Sequence, residues 1–160
     1  MASSQPIITK ITVDKNLATA SSSYGSGIVP ANAFDGNITN FWHVAQIAGN
    51  NVPLPSWLQA DLGSILTVGK VQVDYGPQPS SSGNIATDFE FWVGNDPTFA
   101  TGSYTVAAHI TGNTQSPVLV PFEVPATGRY IRYVVNAVVP SGGGHGWWSA
   151  LMFEMDMWRY

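Results

Sequence analysis

The sequence predicts an all-β fold, an antiparallel two-sheet β-sandwich of jelly-roll type with about eight strands. Apolar and polar residues alternate over many short stretches, and clusters of Gly, Pro, Ser and Asn separate these stretches. No segment of ten or more residues repeats its apolar side chains with the 3.6-residue period of a helix. At 160 residues the chain is long enough for one domain with a full hydrophobic core, so we expect a single domain over 1–160.

The expected strands are defined by this alternation. In order they are a short entry strand in 1–15, then 16–23 (the weakest), 56–62, 66–75, 86–93, 103–110, 118–124, 129–137 and 148–158. The pattern in 66–75 loses its phase once, at Gly69. Trp42 and Trp57 fall on or beside apolar positions, and we expect both in the core. Arg132 is a candidate partner for Asp61.

Composition excludes several classes of function. Charged residues make up 10% of the chain, the net charge is −4 and only six residues are Lys or Arg, too few for the basic patch that nucleic acid or an anionic membrane requires. The chain has no Cys, which excludes disulfides, a thiolate nucleophile and a zinc–thiolate site. No apolar run approaches the roughly 20 residues of a membrane-spanning helix.

One turn and one distant strand together favour a cation site. Asp35, Gly36 and Asn37 predict a sharp turn, because Gly accepts positive φ and Asx side chains bond their own backbone. Far along the chain, Glu154 is the one carboxylate in an apolar run, 151–155. Carboxylates and exposed carbonyls are the ligands that Ca²⁺ prefers. The alternative is an ordinary Asx turn next to a strand.

Five sequence blocks occur in an order that resembles a known family. They are Ala33–Phe34–Asp35–Gly36–Asn37 with Phe41–Trp42–His43, then 57–63 (WLQADLG), 89–93 (FEFWV), 129–134 (RYIRYV) and 151–155 (LMFEM). Together they resemble the discoidin family, which comprises the coagulation-factor C-type domains and the related family 32 carbohydrate-binding modules. The resemblance covers about 16–158 and implies an eight-stranded jelly roll.

The resemblance also implies a structural Ca²⁺ ion at the turn. The implied ligands are the side chains of Asp35 and Glu154, the main-chain carbonyls of Asn32, Asn37 and Phe153, and the side chain of Asn40. The family usually has Thr at the last of these positions, five residues after the Asp. The amide oxygen of Asn40 is able to coordinate in its place.

In sugar-binding relatives the ligand lies on loops at one end of the sandwich. An aromatic ring stacks on the apolar face of the sugar, while planar polar side chains bond its hydroxyls. The candidate ligand-binding residues here are His43, Gln78, Asn84, His145, Trp147 and Trp148. Gln78 stands where galactose-type relatives often carry Arg, which removes a bidentate charged donor. Adjacent residues of a strand face opposite ways, so one of the two Trp is expected in the core, and which one stays open.

These features predict a non-catalytic carbohydrate-binding module or small lectin, with Ca²⁺ holding the scaffold. The alternative is a discoidin-type cell-adhesion module that binds a protein surface or, less readily, phospholipid. Enzymatic activity is not expected, because the acids are scattered and the pair Asp88 and Glu90 fits the solvated face of a strand. The resemblance implies an extracellular or cell-surface location, although residues 1–6 lack the features of a signal peptide. The module is either free-standing or part of a larger multidomain protein.

Overall fold

The computed structural model describes residues 8–46, 52–76, 85–138 and 150–160, and its regular structure is almost entirely β. The described strands are β1 (Thr9–Lys10), β2 (Thr19–Ala20), β3 (Trp42–His43), β4 (Ser56–Asp74), β5 (Ala86–Gly94), β6 (Tyr104–Thr111), β7 (Val118–Val138), β8 (Leu151–Met152) and β9 (Glu154–Arg159). Two 3-10 helices, Lys15–Leu17 and Pro30–Phe34, connect the first strands. No helix in these residues is long and apolar enough to cross a membrane.

All strand pairs are antiparallel. The larger sheet has the order β1-β9-β4-β7-β5-β6, with β2 paired to β4, and the smaller sheet pairs β3 with β8. The N-terminal part of β4 pairs with the C-terminal part of β7, and the remainder of β4 lies between β9 and the N-terminal part of β7. Two long strands therefore run through both layers of a β-sandwich, which confirms the predicted fold class.

The core lies between these two layers. One cluster of buried side chains includes Phe89, Phe91 and Tyr133 from the layer of β5 and Val71 and Met155 from the layer of β9. Val71, Phe89 and Phe91 alternate with half-buried neighbours, as the sequence pattern predicts, whereas 131–135 around Tyr133 is buried on both faces. Trp42 is completely buried, so the expectation for this residue is confirmed.

The stretches 56–62 and 66–75, expected as separate strands, form the single strand β4. The pairing of β4 with β7 shifts register between Asp61 and Leu66, and Gly63 adopts a φ of 76°, a conformation that costs Gly little. The side chain of Asp61 accepts a hydrogen bond from the Gly63 N–H at 2.8 Å. The chain thus bends from one layer into the other without leaving the sheet, and a bulge of this kind strengthens local twist.

The phase break at Gly69 has a similar origin. A second register shift lies between Val68 and Lys70, in the pairing of β4 with both β7 and β9. The Tyr160 ring lies over Gly69, where a Cβ would come within 2.1 Å of a ring carbon. Only glycine leaves room for this ring, so the irregularity in sequence marks a contact between backbone and aromatic ring.

Some expected elements differ from the structure. The expected strand 148–158 is described only from residue 150 onward, and Phe153 interrupts it between β8 and β9. The weak strand 16–23 is reduced to Thr19–Ala20, because Asp14 caps the 3-10 helix before it by accepting from the Asn16 N–H. Neither 3-10 helix was predicted, since segments this short show no period.

Two side-chain expectations are wrong. Trp57 is half-buried on the outer face of its sheet, where its ring lies 3.9 Å from the Arg132 guanidinium carbon. Arg132 does not pair with Asp61; both its Nε and one terminal nitrogen donate to the side-chain oxygen of Gln59. Arg129 is the residue that binds Asp61, through two parallel hydrogen bonds of 2.9 Å.

Candidate functional site

His43 is the predicted ligand-binding residue that the structure describes. It ends β3, where it pairs with Leu151, and its imidazole ring lies 5.6 Å from the ring of Tyr24 at an angle of 60°. Tyr24 is 47% exposed, whereas His43 is half-buried. The two rings form a corner at the protein surface, and we refer to Tyr24 and His43 together as the aromatic corner.

Backbone contacts hold the corner in place. The Tyr24 N–H donates to the His43 carbonyl at 2.9 Å, and the neighbouring Ser22 binds both Trp42 Nε1 and the Ala45 N–H. The segment that carries Tyr24 is therefore attached at three points to 42–45, which contains β3. Such a segment loses little conformational freedom when a ligand binds, because its backbone is already held by hydrogen bonds.

The buried position of His43 determines its protonation. Burial lowers the pKa of His43 below its ordinary value and outweighs a hydrogen bond to the Val44 carbonyl, which would raise it. Since a carbonyl only accepts, the Nδ1 atom of the imidazole carries the proton that is donated to Val44. In this tautomer the lone pair of the neutral ring lies on Nε2, the atom through which the ring accepts a hydrogen bond.

The other predicted ligand-binding residues lie outside the described residues. Gln78 and Asn84 belong to 77–84, and His145, Trp147 and Trp148 belong to 139–149. The described ends of these segments are close to the corner or to each other: Val44 N–H donates to the Ala150 carbonyl, and Ala86 pairs with Val138. Of the six residues, the structure therefore places His43 alone.

Tyr24 was missed by the sequence analysis, which names no role for this residue. Its only signal is a single aromatic residue between Ser and Gly in a polar stretch. That signal does not indicate where the ring points. The contact with His43 depends on how the segment runs beside β3, which is a tertiary feature.

Asp35 and Glu154 meet at the second candidate site, which we call the clasp. The backbone N–H of Asn37 donates to Asp35 Oδ1 and to Glu154 Oε1, at 2.9 Å in each case. Asn40 donates its side-chain N–H to Asp35 Oδ2 at 2.9 Å. The turn after the second 3-10 helix is thus connected to the first residue of β9, as the pairing of these two carboxylates in the sequence analysis anticipated.

The remaining predicted ligands are arranged less directly. The Asn32 side chain donates to the carbonyls of Gly27 and Phe41, and the Asn37 carbonyl accepts from the Asn40 N–H. The Phe153 ring packs 5.0 Å from Phe41 and its N–H donates to the Asp74 carbonyl. Asn40 presents nitrogen, not oxygen, to Asp35, so its side chain must rotate before it is able to coordinate a cation.

The pKa values of Asp35 and Glu154 are shifted in opposite directions. Burial, together with the charge of Asp35, raises the pKa of Glu154 to about 7. Burial would also raise the pKa of Asp35, but hydrogen bonds from Asn40 and Asn37 outweigh it and hold that pKa below its ordinary value. Two carboxylates this close repel each other unless a proton or a cation lies between them.

The donor set of the clasp fits a hard cation. No group of three or more His, Cys, Asp or Glu side chains suited to a metal occurs within 8–46, 52–76, 85–138 and 150–160. A cation at the clasp would therefore take two carboxylates and complete its shell with carbonyl, amide or water oxygens. This is the ligand chemistry of Ca²⁺, which tolerates irregular geometry and six to eight oxygens.

The acids that were considered for catalysis are occupied on the outer face of β5. Asp88 Oδ1 accepts from His109 at 2.9 Å and from the Asn136 amide at 3.0 Å, and Glu90 binds the indole N–H of Trp92. His109 is exposed and lies opposite Glu90 in the pairing of β5 with β6. These contacts fit a solvated strand face whose polar groups bind one another.

The sequence of the chain matches a known domain family. The model of the F5/8 type C domain matches residues 18–154 of the chain. The chain therefore belongs to the F5/8 type C family, the discoidin family that its sequence blocks resemble. No curated protein matches the chain significantly.

Solved structures with the same fold include carbohydrate-binding modules. The family 32 module of NanJ from C. perfringens, in complex with galactose, is 24% identical, has a TM-score of 0.71, and the match covers 96% of this chain and all of that one. Chitosan-binding module 1 of a chitosanase/glucanase from Paenibacillus sp. IK-5 is 24% identical, with a TM-score of 0.71 and 93% and 98% of the two chains covered.

A third similar structure carries an acidic sugar. The family 32 module of AlyQ, in complex with 4,5-unsaturated mannuronic acid, is 22% identical, with a TM-score of 0.64 and 93% and 97% of the two chains covered. At these identities the likeness establishes the fold alone. The first and third structures hold different sugars, so the ligand of this chain has to be inferred from its own residues.

Proposed function

We propose that this chain is a non-catalytic carbohydrate-binding module, or small lectin, that binds a sugar at the aromatic corner. The observation that carries the proposal is the exposed Tyr24 ring fixed beside the half-buried, neutral His43. Membership of the F5/8 type C family and the sugar-bound structures of its fold support it. Gln78, Asn84, His145, Trp147 and Trp148 are proposed to supply further contacts.

The chemistry of a sugar explains why these residue types would suffice. A pyranose ring presents an apolar C–H face to an aromatic ring, and burial of that face contributes favourable free energy without charge. Its hydroxyls donate and accept hydrogen bonds, which the imidazole of His43 and the amides of Gln78 and Asn84 complement. No bond of the sugar has to break, so the site needs neither a nucleophile nor an acid pair.

We also propose that the clasp binds a structural Ca²⁺ ion. Its ligands would be the side chains of Asp35 and Glu154, the carbonyls of Asn32, Asn37 and Phe153, and the amide oxygen of Asn40 after rotation. The ion would relieve the repulsion between two carboxylates of which one has a pKa of about 7. The clasp would hold the turn before β3 against the first residue of β9, and the ion would have a structural role without touching the sugar.

The class of module also suggests a partner, a location and a domain organisation for the chain. A module of this class acts by attachment, so we expect an extracellular or cell-surface glycan or polysaccharide as its partner. Neither nucleic acid nor a membrane fits the charge of the chain. The chain would be one domain over 1–160, either free-standing or joined to further domains in a larger protein.

The experiment is a glycan array probed with the labelled protein, with and without EDTA. We expect binding to one group of related glycans, and loss of that binding in the His43→Ala variant while its circular dichroism spectrum stays unchanged. Leu17→Ala, which truncates an exposed residue of the first 3-10 helix, is the control. Binding of no glycan at millimolar strength would reject the proposal and favour a protein-binding adhesion module.

A further inference from the structure

The turn that carries the clasp also contains the acceptor pattern of N-linked glycosylation, an Asn followed two positions later by Ser or Thr. The pattern consists of Asn37, Ile38 and Thr39, and its middle residue is not Pro, which would block the modification. Of the ten Asn residues in the sequence, Asn37 alone has Ser or Thr two positions later. Because so short a pattern also arises by chance, its use depends on whether the Asn side chain is accessible and its nitrogen unbound.

The three residues of the pattern lie on the protein surface. All three are exposed, as is Gly36 before them. They follow the second 3-10 helix, Pro30–Phe34, and precede β3, so no strand ladder engages them. Ile38 is 56% exposed although its side chain is apolar. An acceptor has to lie on such a surface turn, because an attached glycan is bulky and needs space outside the fold.

Thr39 determines the orientation of the Asn37 side-chain amide. Asn37 Oδ1 accepts from the Thr39 hydroxyl at 2.7 Å and from the Thr39 backbone N–H at 3.0 Å. A backbone N–H only donates, so the atom that faces it is the amide oxygen and not the nitrogen. Asn37 Nδ2 therefore lies on the far side of the amide carbon from Thr39. Within 8–46, 52–76, 85–138 and 150–160, no acceptor forms a hydrogen bond with Nδ2.

The other contacts of Asn37 use its main chain. Its N–H donates to Asp35 and Glu154, and its carbonyl accepts from the Asn40 N–H at 3.0 Å. These bonds fix the turn against β9, whereas the side-chain nitrogen takes no part in them. A substituent on Nδ2 leaves all of them intact, as well as the two bonds from Thr39 to Oδ1. The turn is therefore able to carry a glycan without losing the contacts that hold it.

From this exposed and oriented amide we propose that Asn37 is a site of N-linked glycosylation. The co-substrate is an oligosaccharide carried on a lipid diphosphate, which a transferase presents to the chain. Asn37 Nδ2 forms a bond to the anomeric carbon of the sugar, the bond from that carbon to the diphosphate oxygen breaks, the lipid diphosphate leaves, and one amide proton passes to a base. The inference goes beyond the proposed carbohydrate binding and does not depend on it. It requires that the chain enters a compartment that holds the transferase.

The test is secretion of the full chain, behind a cleavable signal peptide, from a eukaryotic host, followed by mass spectrometry before and after digestion with peptide N-glycosidase. We expect one glycan on each chain, and digestion in heavy-oxygen water should leave a labelled Asp in place of Asn37. Asn37→Gln and Thr39→Ala should lose the glycan, whereas Thr39→Ser, which retains the hydroxyl, should keep it. Asn16→Gln changes an exposed Asn outside the pattern, so this matched control should be glycosylated like the wild type.

A second acceptor built into the chain makes a negative result decisive. Ala18→Thr places a hydroxyl two positions after the exposed Asn16 and so creates a new pattern. A glycan on Asn16 of this variant, with none on Asn37 of the same molecules, would overturn the proposal. A glycan that persists in Asn37→Gln or in Thr39→Ala would also overturn it, because the attachment would then lie elsewhere. Neither result affects the proposed carbohydrate binding, which the glycan array measures on protein without an attached glycan.

Discussion

Asp35 and Glu154, which lie at opposite ends of the chain, both accept a hydrogen bond from the backbone N–H of Asn37. One donor thus serves two carboxylates, and the second 3-10 helix is joined to β9 through side chains instead of through a strand pair. The arrangement stabilises the fold only if the repulsion between the carboxylates is offset. Either a bound cation or a proton on Glu154 is able to offset this repulsion.

Added Ca²⁺ should raise the melting temperature of the wild-type protein. At a Ca²⁺ concentration about 100 times the Kd, the stabilisation is about 2.7 kcal/mol, or roughly 5–10 °C for a domain of this size. Asp35→Asn and Glu154→Gln should each abolish the response, because each removes a negative ligand. Asp88→Asn, a change to a half-buried acid on β5 away from the clasp, should keep the response. Thermal melts in EDTA and in Ca²⁺ measure it, and equal responses in all four proteins would contradict the clasp as a Ca²⁺ site.

Without Ca²⁺, the stability of the protein should fall as the pH rises from about 4.5 to 7. The pKa of Glu154 is about 7 in the folded state, against an ordinary value of 4.5, so the folded state binds more protons in this window. The stabilising contribution is complete below 4.5 and is lost as the pH rises through 7. Urea unfolding in EDTA should show a slope over this window in wild type and a smaller slope in Glu154→Gln; identical slopes would refute the raised pKa.

Glycan binding should persist below the pH at which an ordinary His titrates. Binding needs the lone pair of His43 Nε2, and burial lowers the pKa of this ring, so protonation and loss of affinity occur only at more acidic pH. Calorimetric titrations of a bound glycan from pH 8 downward measure this. Affinity that declines around the ordinary His value, or that increases with acidity, would contradict a neutral acceptor at this position.

Alternation of apolar residues was sufficient to predict the sandwich and most of its strands, because burial of one strand face imposes a period of two. It was not sufficient to show that 56–62 and 66–75 are one strand. Gly63 and Gly69 look like breaks in sequence, whereas in the structure they allow the bend and the close approach of Tyr160. Local sequence does not distinguish a bend within a strand from its end.

Pairs of side chains were predicted less well, because strand register is not readable from one sequence. Asp61 lies opposite Tyr130, which brings Arg129 beside it, and Gln59 lies opposite Arg132. The same reason hid Tyr24, whose position depends on how its segment runs beside β3. Asp35 and Glu154 were expected at one site because both are carboxylates beside exposed carbonyls, and in the structure both accept from the Asn37 N–H.

Arg132 should be sensitive to a change that keeps its charge. Its guanidinium donates to Gln59 and to the Pro97 carbonyl and lies between the rings of Trp57 and Phe99, at 3.9 and 4.4 Å. Lys lacks the planar fork and the stacking face, so Arg132→Lys should lower the free energy of unfolding by about 1–3 kcal/mol. Arg159→Lys, on the exposed end of β9, is the control and should change the free energy of unfolding by less than about 0.5 kcal/mol in urea unfolding. Comparable losses in the two variants would show that packing around Arg132 does not depend on the planar shape of the guanidinium.

The buried hydroxyls of Tyr75 and Tyr133 offer a test of how the core tolerates polar groups. They bind each other at 2.9 Å between the layers, and burial raises the pKa of both, so both stay protonated at ordinary pH. Tyr75→Phe or Tyr133→Phe alone leaves one hydroxyl without its bond, at a cost of about 1–3 kcal/mol. The double variant removes both hydroxyls and should recover most of this loss, because no polar group then remains unsatisfied. Urea unfolding of the four proteins gives the coupling free energy between the two hydroxyls. Additive losses of stability would mean that each hydroxyl is satisfied independently of the other.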